Sequence, residues 1–397
     1  MRRRGYRFRM DPLSLDADTL VEEAREKAGL QDFGDESFRE PLGVLLDSLE
    51  NEAKLNDIGR GTQHARIVDS LATRLMTEDY IRRHPEILEE DLGEAIVIVG
   101  LARTGTTRLH RLLGSGPAFQ VAQWWEVRYP APFAGSDWRS DDPRIAAAHA
   151  EVKATLEAVP ALATVHPWDP EGADEEVMLL EHTFLSWVPE SGAHVPSYQR
   201  WLDDQDLTEA YRYLARFLRF IQWQKKESGR GGGRWILKSP FHLAYVDPLF
   251  EVFPGGRVIQ THRDPLETIP SAASMYRLLH ELNTDVVDPQ WVGEAVRSRY
   301  RDALERCMRA REKYAPERFI DVDYRAVGRD AIGEARRIYE WLGLELTGDA
   351  ERAMRQWSQE NARERRAAHE YTLEEFGFTR DGLASDFAEY RERHILD

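Results

Sequence analysis

The sequence predicts an α/β protein in which a P-loop-like parallel β-sheet is flanked by helices and preceded by an N-terminal helical region. The first observation is the run Ile96–Val99, whose β-branched apolar residues are typical of a strand buried on both faces. The second is a pair of glycines, Gly100 and Gly105, which follow this run and precede leucines at helical spacing. Such a strand, glycine loop and helix form a cradle in which backbone N–H groups and the helix dipole bind a phosphate-like anion.

Composition and charge exclude several classes of protein. The chain has 397 residues, of which 42% are hydrophobic and 31% charged, enough for one large or two medium globular domains. The net charge of −17 argues against a general nucleic-acid binder and against binding to anionic membranes. Cys307 is the single cysteine, which excludes an internal disulfide and a cysteine-rich metal site.

Targeting and membrane segments are not predicted. Residues 1–9 are basic like the start of a signal peptide, but Asp11, Pro12 and Asp16 interrupt what would be its apolar region. No apolar run approaches the roughly 20 residues that span a bilayer. We therefore expect no membrane span and a cytoplasmic protein.

Residues 1–94 are predicted to form a helical region of their own. Asp16 or Asp18 is the candidate N-cap of its first helix, and Gly29 is the candidate stop. Further predicted helices cover residues 41–56 and 62–80, and a short one ends near His84. This region is suited to line a ligand-binding site or to join two copies of the chain, but we expect it to serve mainly as packing.

The glycine loop differs from the nucleotide triphosphate loop G-x-x-x-x-G-K-[ST]. Gly100 and Gly105 have the right spacing, and Thr107 occupies the position of the magnesium-binding hydroxyl. The lysine position holds Thr106, and the cation has moved into the loop as Arg103. The loop should therefore hold a phosphate-like anion but is poorly equipped for a magnesium–triphosphate. An ordinary glycine turn is the alternative interpretation.

A short second strand is predicted at residues 119–122. The segment 124–130 follows at its carboxyl end, where ligands bind in open α/β sheets, so we expect it to form one wall of a ligand pocket. Trp124 and Trp125 are alternatively core residues. Predicted helices cover residues 145–159, 175–187 and 207–225. The last helix carries an aromatic stripe, which is typical of a core but would also suit an apolar funnel.

The next strand is predicted at residues 234–238. Ser239 and Pro240 then have the pattern of an N-cap and a first helical residue. This arrangement places Lys238 at the carboxyl end of a strand and His242 in the first turn of a helix. We expect both to face the same cleft as the glycine loop.

A third core strand, residues 257–261, leads into Arg263, an aspartate–proline turn, and Ser271 eight residues after the arginine. Arginine suits a dianionic phosphate because its planar fork donates two parallel hydrogen bonds. An ion pair with Asp264 or another carboxylate is the alternative. A fourth core strand is predicted at residues 319–324, with helices over 330–342 and 349–361.

Two of these segments resemble motifs of the sulfotransferases that use 3′-phosphoadenosine 5′-phosphosulfate (PAPS). Residues 101–109 are similar to their 5′-phosphosulfate loop, with Ala102 in place of the usual proline and Arg103 where many relatives have lysine. Residues 257–271 resemble their 3′-phosphate-binding segment. The resemblance extends over residues 95–397 in order, and it implies a single sulfotransferase domain there.

The resemblance also implies site residues and a co-substrate. PAPS is expected to bind Arg103, Thr104, Gly105, Thr106, Thr107, Arg108, Arg263 and Ser271. A basic stretch late in the chain closes over the 3′-phosphate in related enzymes, and Arg363, Arg365 and Arg366 are candidates for that role. A solvated charged helix face is the alternative for those arginines.

Sulfonate transfer requires charge stabilisation and a proton acceptor. Arg103 and Lys238 are expected to stabilise the departing 5′-phosphate, with Lys238 at the bridging oxygen. Two residues are candidates for the base: His242, which we favour because imidazole titrates near neutrality, and Glu126, at the position of a catalytic glutamate in some relatives. No metal is expected, because the sequence has no cluster with ligand spacing.

The predicted activity is sulfonate transfer from PAPS to a hydroxyl, or less readily an amine, of a small hydrophobic acceptor such as a phenol or a lipid-like alcohol. A P-loop kinase of small molecules and a non-catalytic nucleotide-binding protein are the alternatives. Thr106 in place of lysine argues against the kinase. The sequence does not determine the oligomeric state, and a homodimer is compatible with it.

Overall fold

The computed structural model describes residues 13–361 and 371–395, and the strands within them form one parallel sheet. The strands are β1 (Ile96–Val99), β2 (Phe119–Gln120), β3 (Arg234–Lys238), β4 (Arg257–His262) and β5 (Phe319–Asp323). Their order in the sheet is β2-β3-β1-β4-β5, and all neighbouring pairs are parallel. The predicted fold class is confirmed.

Helices cover both faces of this sheet and form the region that precedes it. The helices are α1 (Ala17–Ala28), α2 (Arg39–Asn51), α3 (Asp57–Arg83), α4 (Thr106–Gly114), α5 (Trp124–Arg128), α6 (Pro143–Ala158), α7 (Leu162–Val165), α8 (Val177–Leu180), α9 (Val188–Gly192), α10 (Pro196–Asp203), α11 (Thr208–Glu227), α12 (Val246–Val252), α13 (Pro265–Glu281), α14 (Pro289–Lys313), α15 (Tyr324–Arg329), α16 (Ala331–Trp341), α17 (Gly348–Glu360), α18 (Arg380–Asp386) and α19 (Ala388–His394). Short 3₁₀ helices cover Pro85–Glu89, Glu181–Thr183, Pro240–Ala244, Pro316–Arg318 and Glu374–Phe376. No helix of the described ranges has the length and apolar character needed to cross a membrane.

The strand order brings three loops together at one edge of the sheet. β1 lies between β3 and β4, with Ile98 paired to Lys238 on one side and Val99 to Gln260 on the other. The chain leaves β1 towards β2 and later enters β4 on the opposite side, so this edge is a topological switch point, where ligands bind in open α/β sheets. The glycine loop, Lys238 and Arg263 all follow strand ends at this edge.

The N-terminal helices begin and end largely as their caps dictate. The Asp16 carboxylate accepts a hydrogen bond from the N–H of Thr19 (2.9 Å), and Gly29 ends α1 with a φ of 65°, so both predicted signals are confirmed. α2 ends five residues earlier than predicted. Lys54 has a φ of 49°, which a continuing helix does not allow, and Asn56 instead caps α3.

Helix α3 packs the N-terminal region against the rest of the chain. The buried Arg74 donates to the carbonyl oxygens of Phe33 (3.1 Å) and His182 (3.2 Å). Glu78, also on α3, accepts two hydrogen bonds from Arg216 of α11, at 3.0 and 2.6 Å. Apolar residues of α1, α2 and α3 belong to the same core cluster as those of α10 and α11. These contacts give the region the packing role that was expected.

Two predicted elements are wrong in detail. The helix over residues 175–187 is broken into α8 and a 3₁₀ turn, because Phe184 has a φ of 57° and ends the turn. No helix was predicted for the segment that begins at Trp124, whereas Trp124–Arg128 form the short helix α5; its place at one wall of a pocket stays a prediction. Trp124 and Trp125 are both buried against α6, so they are core residues.

The aromatic stripe of α11 is likewise mainly core. Tyr211, Phe217, Phe220 and Trp223 are buried, and they pack against α3 and the segments beside β3. This helix therefore forms no open funnel through these side chains. Its hydroxyl-bearing member Tyr211 has a separate contact, described with the site below.

Three histidines of the core are shielded from solvent. His110, His182 and His280 are buried, and each forms a hydrogen bond between a ring nitrogen and a backbone carbonyl at 3.0 to 3.1 Å. Burial lowers the pKa of each imidazole from 6.5 to about 4. The three rings are therefore neutral at neutral pH.

We expect the free energy of unfolding to fall as the pH is lowered from 7 to 5. Below the unfolded pKa of 6.5 the unfolded chain binds a proton at each of these histidines and the folded chain does not. The stability they support is present above pH 6.5 and is lost towards pH 4, with each histidine lowering it by about 2 kcal/mol at pH 5. Urea unfolding at the two pH values measures the effect.

Two variants separate these histidines from other titrating groups. His182→Asn keeps a donor at the position of Nδ1 and should remove the share of the pH dependence that this one histidine contributes, about 2 kcal/mol at pH 5. His149→Asn changes an exposed histidine and should leave the pH dependence as it was. An unaltered pH dependence in His182→Asn would contradict the explanation.

Candidate active site

The glycine loop between β1 and α4 has a backbone that only particular residues allow. Gly100 has a φ of 150°, and a Cβ there would lie 2.2 Å from the hydroxyl oxygen of Thr261 on β4. Gly105 has a φ of 83°, and a Cβ there would lie 2.9 Å from the ring of Tyr324. Arg103 is a non-glycine residue at a φ of 72°, a conformation that residues with a side chain seldom adopt. The loop is therefore fitted closely against β4 and α15.

A hydroxyl pair anchors the loop to β4. The Thr104 hydroxyl donates to the carbonyl oxygen of Leu101 (2.6 Å) and lies 2.7 Å from the hydroxyl of Thr261. Thr104 is thus engaged in holding the loop. α4 begins at Thr106, whose side chain is buried, and its first N–H groups lie at the dipole end that favours anions. Arg108 is exposed on the first turn of α4.

Lys238 connects the end of β3 to the loop. Its ammonium donates to the Thr107 hydroxyl (3.3 Å) and to the Glu175 carboxylate (2.5 Å). The Lys238 side chain is fully buried, whereas that of Glu175 is 24% exposed. Ser239 also donates to Glu175, at 3.1 Å. The structure thus brings together Lys238 and Thr107, as the sequence predicts, and adds a carboxylate beside them.

His242 lies behind this group and does not face the cleft. Its ring is fully buried, with Nδ1 2.6 Å from the Tyr211 hydroxyl and Nε2 bonded to the Glu176 carboxylate. Glu176 also accepts a hydrogen bond from the backbone N–H of Lys238 (3.0 Å). Burial by itself raises the pKa of Glu176, but the hydrogen bonds from His242 and Lys238 lower it below its usual value. The 3₁₀ turn after Ser239 rotates His242 into the core, contrary to expectation.

Arg103 and Arg263 converge on the opposite side of the loop. Arg263 donates to the carbonyl oxygen of Arg103 (2.9 Å) and to Glu267 (2.9 Å), and its guanidinium stacks on the ring of Tyr324 at 4.5 Å. Arg103 donates from Nε to the hydroxyl of Ser271 (3.3 Å). Burial and the nearby Arg263 both lower the pKa of Arg103, which nevertheless stays protonated. Two cations held together in this way favour an anion between or beside them.

The turn that carries Arg263 is fixed by the C-terminal helix α19. Asp264 caps α13 through the N–H of Leu266 (3.0 Å) and accepts two hydrogen bonds from Arg391, at 3.0 and 3.1 Å. The hydroxyl of Tyr390 lies 2.8 Å from Nδ1 of His262. Asp264 therefore pairs with Arg391, and the carboxylate that pairs with Arg263 is Glu267.

Glu126 lies outside this group of contacts. Its carboxylate is buried and forms an ion pair with Lys225 (2.7 Å), with Arg230 at 3.7 Å. It also accepts a hydrogen bond from the N–H of Gln123 (3.0 Å) at the start of α5. These contacts hold α5 against α11.

One group of potential metal ligands occurs in the described residues, although the sequence spacing had indicated none. Ligand atoms of His262, Asp321 and His394 lie within 4.8 Å of one another. Asp321 is already bonded to His262 (2.8 Å) and by two bonds to Arg311. A cation bound there would face the Arg311 guanidinium, so the group is better explained as an ion-pair network.

The sequence interpretation missed Glu175, Glu176 and Tyr324. A carboxylate pair at the start of a helical pattern carries no signal of its own, but its position at the end of the irregular segment 166–174 could have suggested a loop. Three predicted residues, Arg363, Arg365 and Arg366, lie outside the described residues.

Comparisons with known proteins identify relatives of this chain. The model of the Sulfotransferase family matches residues 95–348. The omega-hydroxy-beta-dihydromenaquinone-9 sulfotransferase Stf3 of Mycobacterium bovis is 26% identical over 291 residues, which cover 70% of each chain. The crystal structure of sulfotransferase STF9 from Mycobacterium avium is 30% identical, with a TM-score of 0.87 and 98% of each chain covered. The crystal structure of sulfotransferase STF1 from Mycobacterium tuberculosis H37Rv is 31% identical, with a TM-score of 0.83. The match covers 96% of this chain and 100% of the STF1 chain.

Proposed function

Because this chain belongs to the sulfotransferase family, we propose that it transfers a sulfonate group from PAPS to the hydroxyl of a hydrophobic small molecule, through a catalytic unit that spans residues 95–397. One observation carries the proposal: the glycine loop itself contains Arg103, and it is contacted by Arg263 from the end of β4, while Lys238 at the end of β3 contacts Thr107 just after the loop. The three cations lie at the switch point of the sheet, where a nucleotide is expected.

The proposed donor site has two anionic ends. The N–H groups from Gly105 to Arg108 and the hydroxyls of Thr106 and Thr107 would bind the 5′-phosphosulfate, as helix N-termini bind phosphates. Arg263 and Ser271 would bind the 3′-phosphate. Thr104 would act by holding the loop to Thr261 rather than through its hydroxyl.

The proposed chemistry depends on positioning and charge. Negative charge builds up on the sulfonate and on the departing 5′-phosphate, and preorganised cations and N–H groups stabilise it. Lys238 would act at the bridging oxygen and Arg103 beside it as a fixed positive charge. We propose that no metal is required, since Thr106 replaces the lysine of magnesium–triphosphate loops.

A hydrophobic acceptor is supported by one relative. The relative Stf3 acts, by its name, on a hydroxylated menaquinone.

A thermal-shift titration tests the donor assignment. We expect 3′,5′-ADP at about 100 times its dissociation constant, in the presence of EDTA, to stabilise the protein by about 2.7 kcal/mol and raise its melting temperature. Mg–ATP should give a much smaller shift. A shift with Mg–ATP alone would contradict the proposal and favour the kinase, and binding of 3′,5′-ADP without turnover of PAPS would favour a non-catalytic protein.

A further inference from the structure

The residues on either side of Arg263 are both held by the C-terminal helix α19. His262, the last residue of β4, has its Nδ1 2.8 Å from the hydroxyl of Tyr390. The Asp264 carboxylate accepts two hydrogen bonds from Arg391, one at each oxygen, at 3.0 and 3.1 Å. Two consecutive residues of α19 therefore contact the chain immediately before and immediately after Arg263.

The sheet and the cleft do not hold the backbone of Arg263 themselves. The pairing of β4 with β5 ends at His262, so residue 263 lies beyond the last strand pair. The side chain of Arg263 contacts Glu267, which is 52% exposed, and the ring of Tyr324, which is 39% exposed. Its third partner is the carbonyl oxygen of Arg103 in the glycine loop. These partners orient the guanidinium, and α19 fixes the turn from which the side chain extends.

The pair of Arg391 with Asp264 suits this task. An arginine that meets a carboxylate through two hydrogen bonds fixes its orientation as well as its distance. The Arg391 side chain is 32% exposed and that of Asp264 is 16% exposed, so solvent screens the pair only in part. Asp264 also caps α13 through the N–H of Leu266. The pair therefore connects the turn and the start of α13 to the end of the chain.

Helix α19 has contacts with the end of β4 that do not depend on Arg391. Tyr390 is buried in the main core cluster. The ring of His394, one helical turn later, stacks on the ring of His262 with a centroid distance of 4.6 Å and an interplanar angle of 9°. Arg391 can therefore be replaced while the helix keeps its aromatic contacts, so its own contribution can be measured.

Resting on the proposed function, we propose that α19 sets the affinity for the nucleotide, and that Arg391 is a positioning residue for Arg263. Arg391 acts through Asp264 and needs no contact with the nucleotide. With the turn held, Arg263 meets the 3′-phosphate without first being ordered, and a site ordered in advance avoids the entropy cost of ordering on binding.

The same coupling acts in the opposite direction. If the docking of α19 strengthens binding of the 3′-phosphate, then bound 3′-phosphate must strengthen the docking of α19 by the same factor, because the two equilibria are linked. Occupation of the donor site should therefore change the stability of a helix at the end of the chain.

Arg391→Met removes the charge and both donors while keeping a long side chain. Its affinity for 3′,5′-ADP, measured by calorimetry, should be about fivefold lower than that of the parent, the cost of ordering one flexible side chain. Arg393→Met is the matched control, because Arg393 lies on the same helix and pairs instead with Glu312, at 3.2 Å. The control should bind 3′,5′-ADP as the parent does.

Asp264→Asn tests the pair from its other side. Asparagine caps helices about as well as aspartate, so this variant keeps the cap of α13 and loses the ion pair. It should show the same loss of affinity, and its combination with Arg391→Met should show no further loss. In the background of Arg263→Ala, Arg391→Met should have no effect, because the side chain that it positions is absent. A loss that persists in that background would overturn the positioning role.

Hydrogen exchange provides a readout that a merely structural role would not move. Saturating 3′,5′-ADP should slow amide exchange in residues 388–394 of the parent about fivefold relative to α1, and Arg391→Met should abolish this difference. Unchanged affinity in both Arg391→Met and Asp264→Asn would overturn the inference and leave the donor assignment in place. No binding of 3′,5′-ADP to the parent would overturn the proposed function, and the inference with it.

Discussion

Replacing Lys238 with methionine is expected to lower turnover about 10²- to 10³-fold, the loss found when one preorganised donor to a developing negative charge is removed. Methionine fills a similar volume in a position that is fully buried, so the end of β3 should keep its packing. Affinity for 3′,5′-ADP should fall less than tenfold, because this product lacks the sulfonate and the loop still binds its 5′-phosphate. Calorimetry and steady-state kinetics with PAPS separate the two effects.

The chain offers a matched control for this variant. Lys225 is another buried lysine paired with a glutamate, Glu126, at 2.7 Å, but it lies on α11 against α5 and not at the glycine loop. Lys225→Met should lower stability while leaving the turnover of the folded fraction near that of the parent. The same variant tests Glu126, since a catalytic role for that carboxylate would make turnover sensitive to Lys225.

Methionine at position 238 leaves Glu175 without its cation, which introduces a second change. The double variant Lys238→Met, Glu175→Gln removes both charges and should be as inactive as the single variant Lys238→Met. Turnover within tenfold of the parent in either variant would contradict the assignment of Lys238 to the bridging oxygen.

The features predicted well from the sequence are those with a local physical cause. β1 is recognisable because its four residues are apolar and β-branched, and the loop because its glycines have positive φ values that other residues rarely adopt. Parallel strands then bring their carboxyl ends to one edge, which predicts that Lys238 and Arg263 approach the loop. Their contacts with Thr107 and with the Arg103 carbonyl agree with that expectation.

The features predicted poorly depend on contacts between distant segments. Glu175 and Glu176 look like the start of a helix, and their roles come from β3, more than 60 residues later in the chain. His242 was expected in the cleft because its element follows a strand end, but the direction of a side chain depends on the winding of the turn. A 3₁₀ turn has three residues per turn and an α-helix 3.6, so the ring faces Tyr211 instead.

Replacing Arg263 with alanine is expected to weaken binding of 3′,5′-ADP about 100-fold, corresponding to about 3 kcal/mol for loss of a charged partner of a phosphate. The reason is the geometry of the group: its guanidinium is stacked on Tyr324 and bonded to the Arg103 carbonyl, so it is held in place before the nucleotide arrives. Arg263→Lys keeps the charge without the planar fork and should show a loss of about tenfold. Arg337→Ala removes a surface arginine paired with Glu334 and should leave affinity unchanged.

The ligand 5′-AMP, which lacks the 3′-phosphate, identifies the group that Arg263 contacts. If Arg263 binds the 3′-phosphate, the alanine variant should bind 5′-AMP about as well as the parent does, and the 100-fold loss should appear with 3′,5′-ADP alone. Equal losses for both ligands would instead mean that Arg263 acts through the loop, since its bond to the Arg103 carbonyl also supports the 5′-phosphate end. The comparison of two ligands on two proteins thus distinguishes direct contact with the nucleotide from support of the glycine loop.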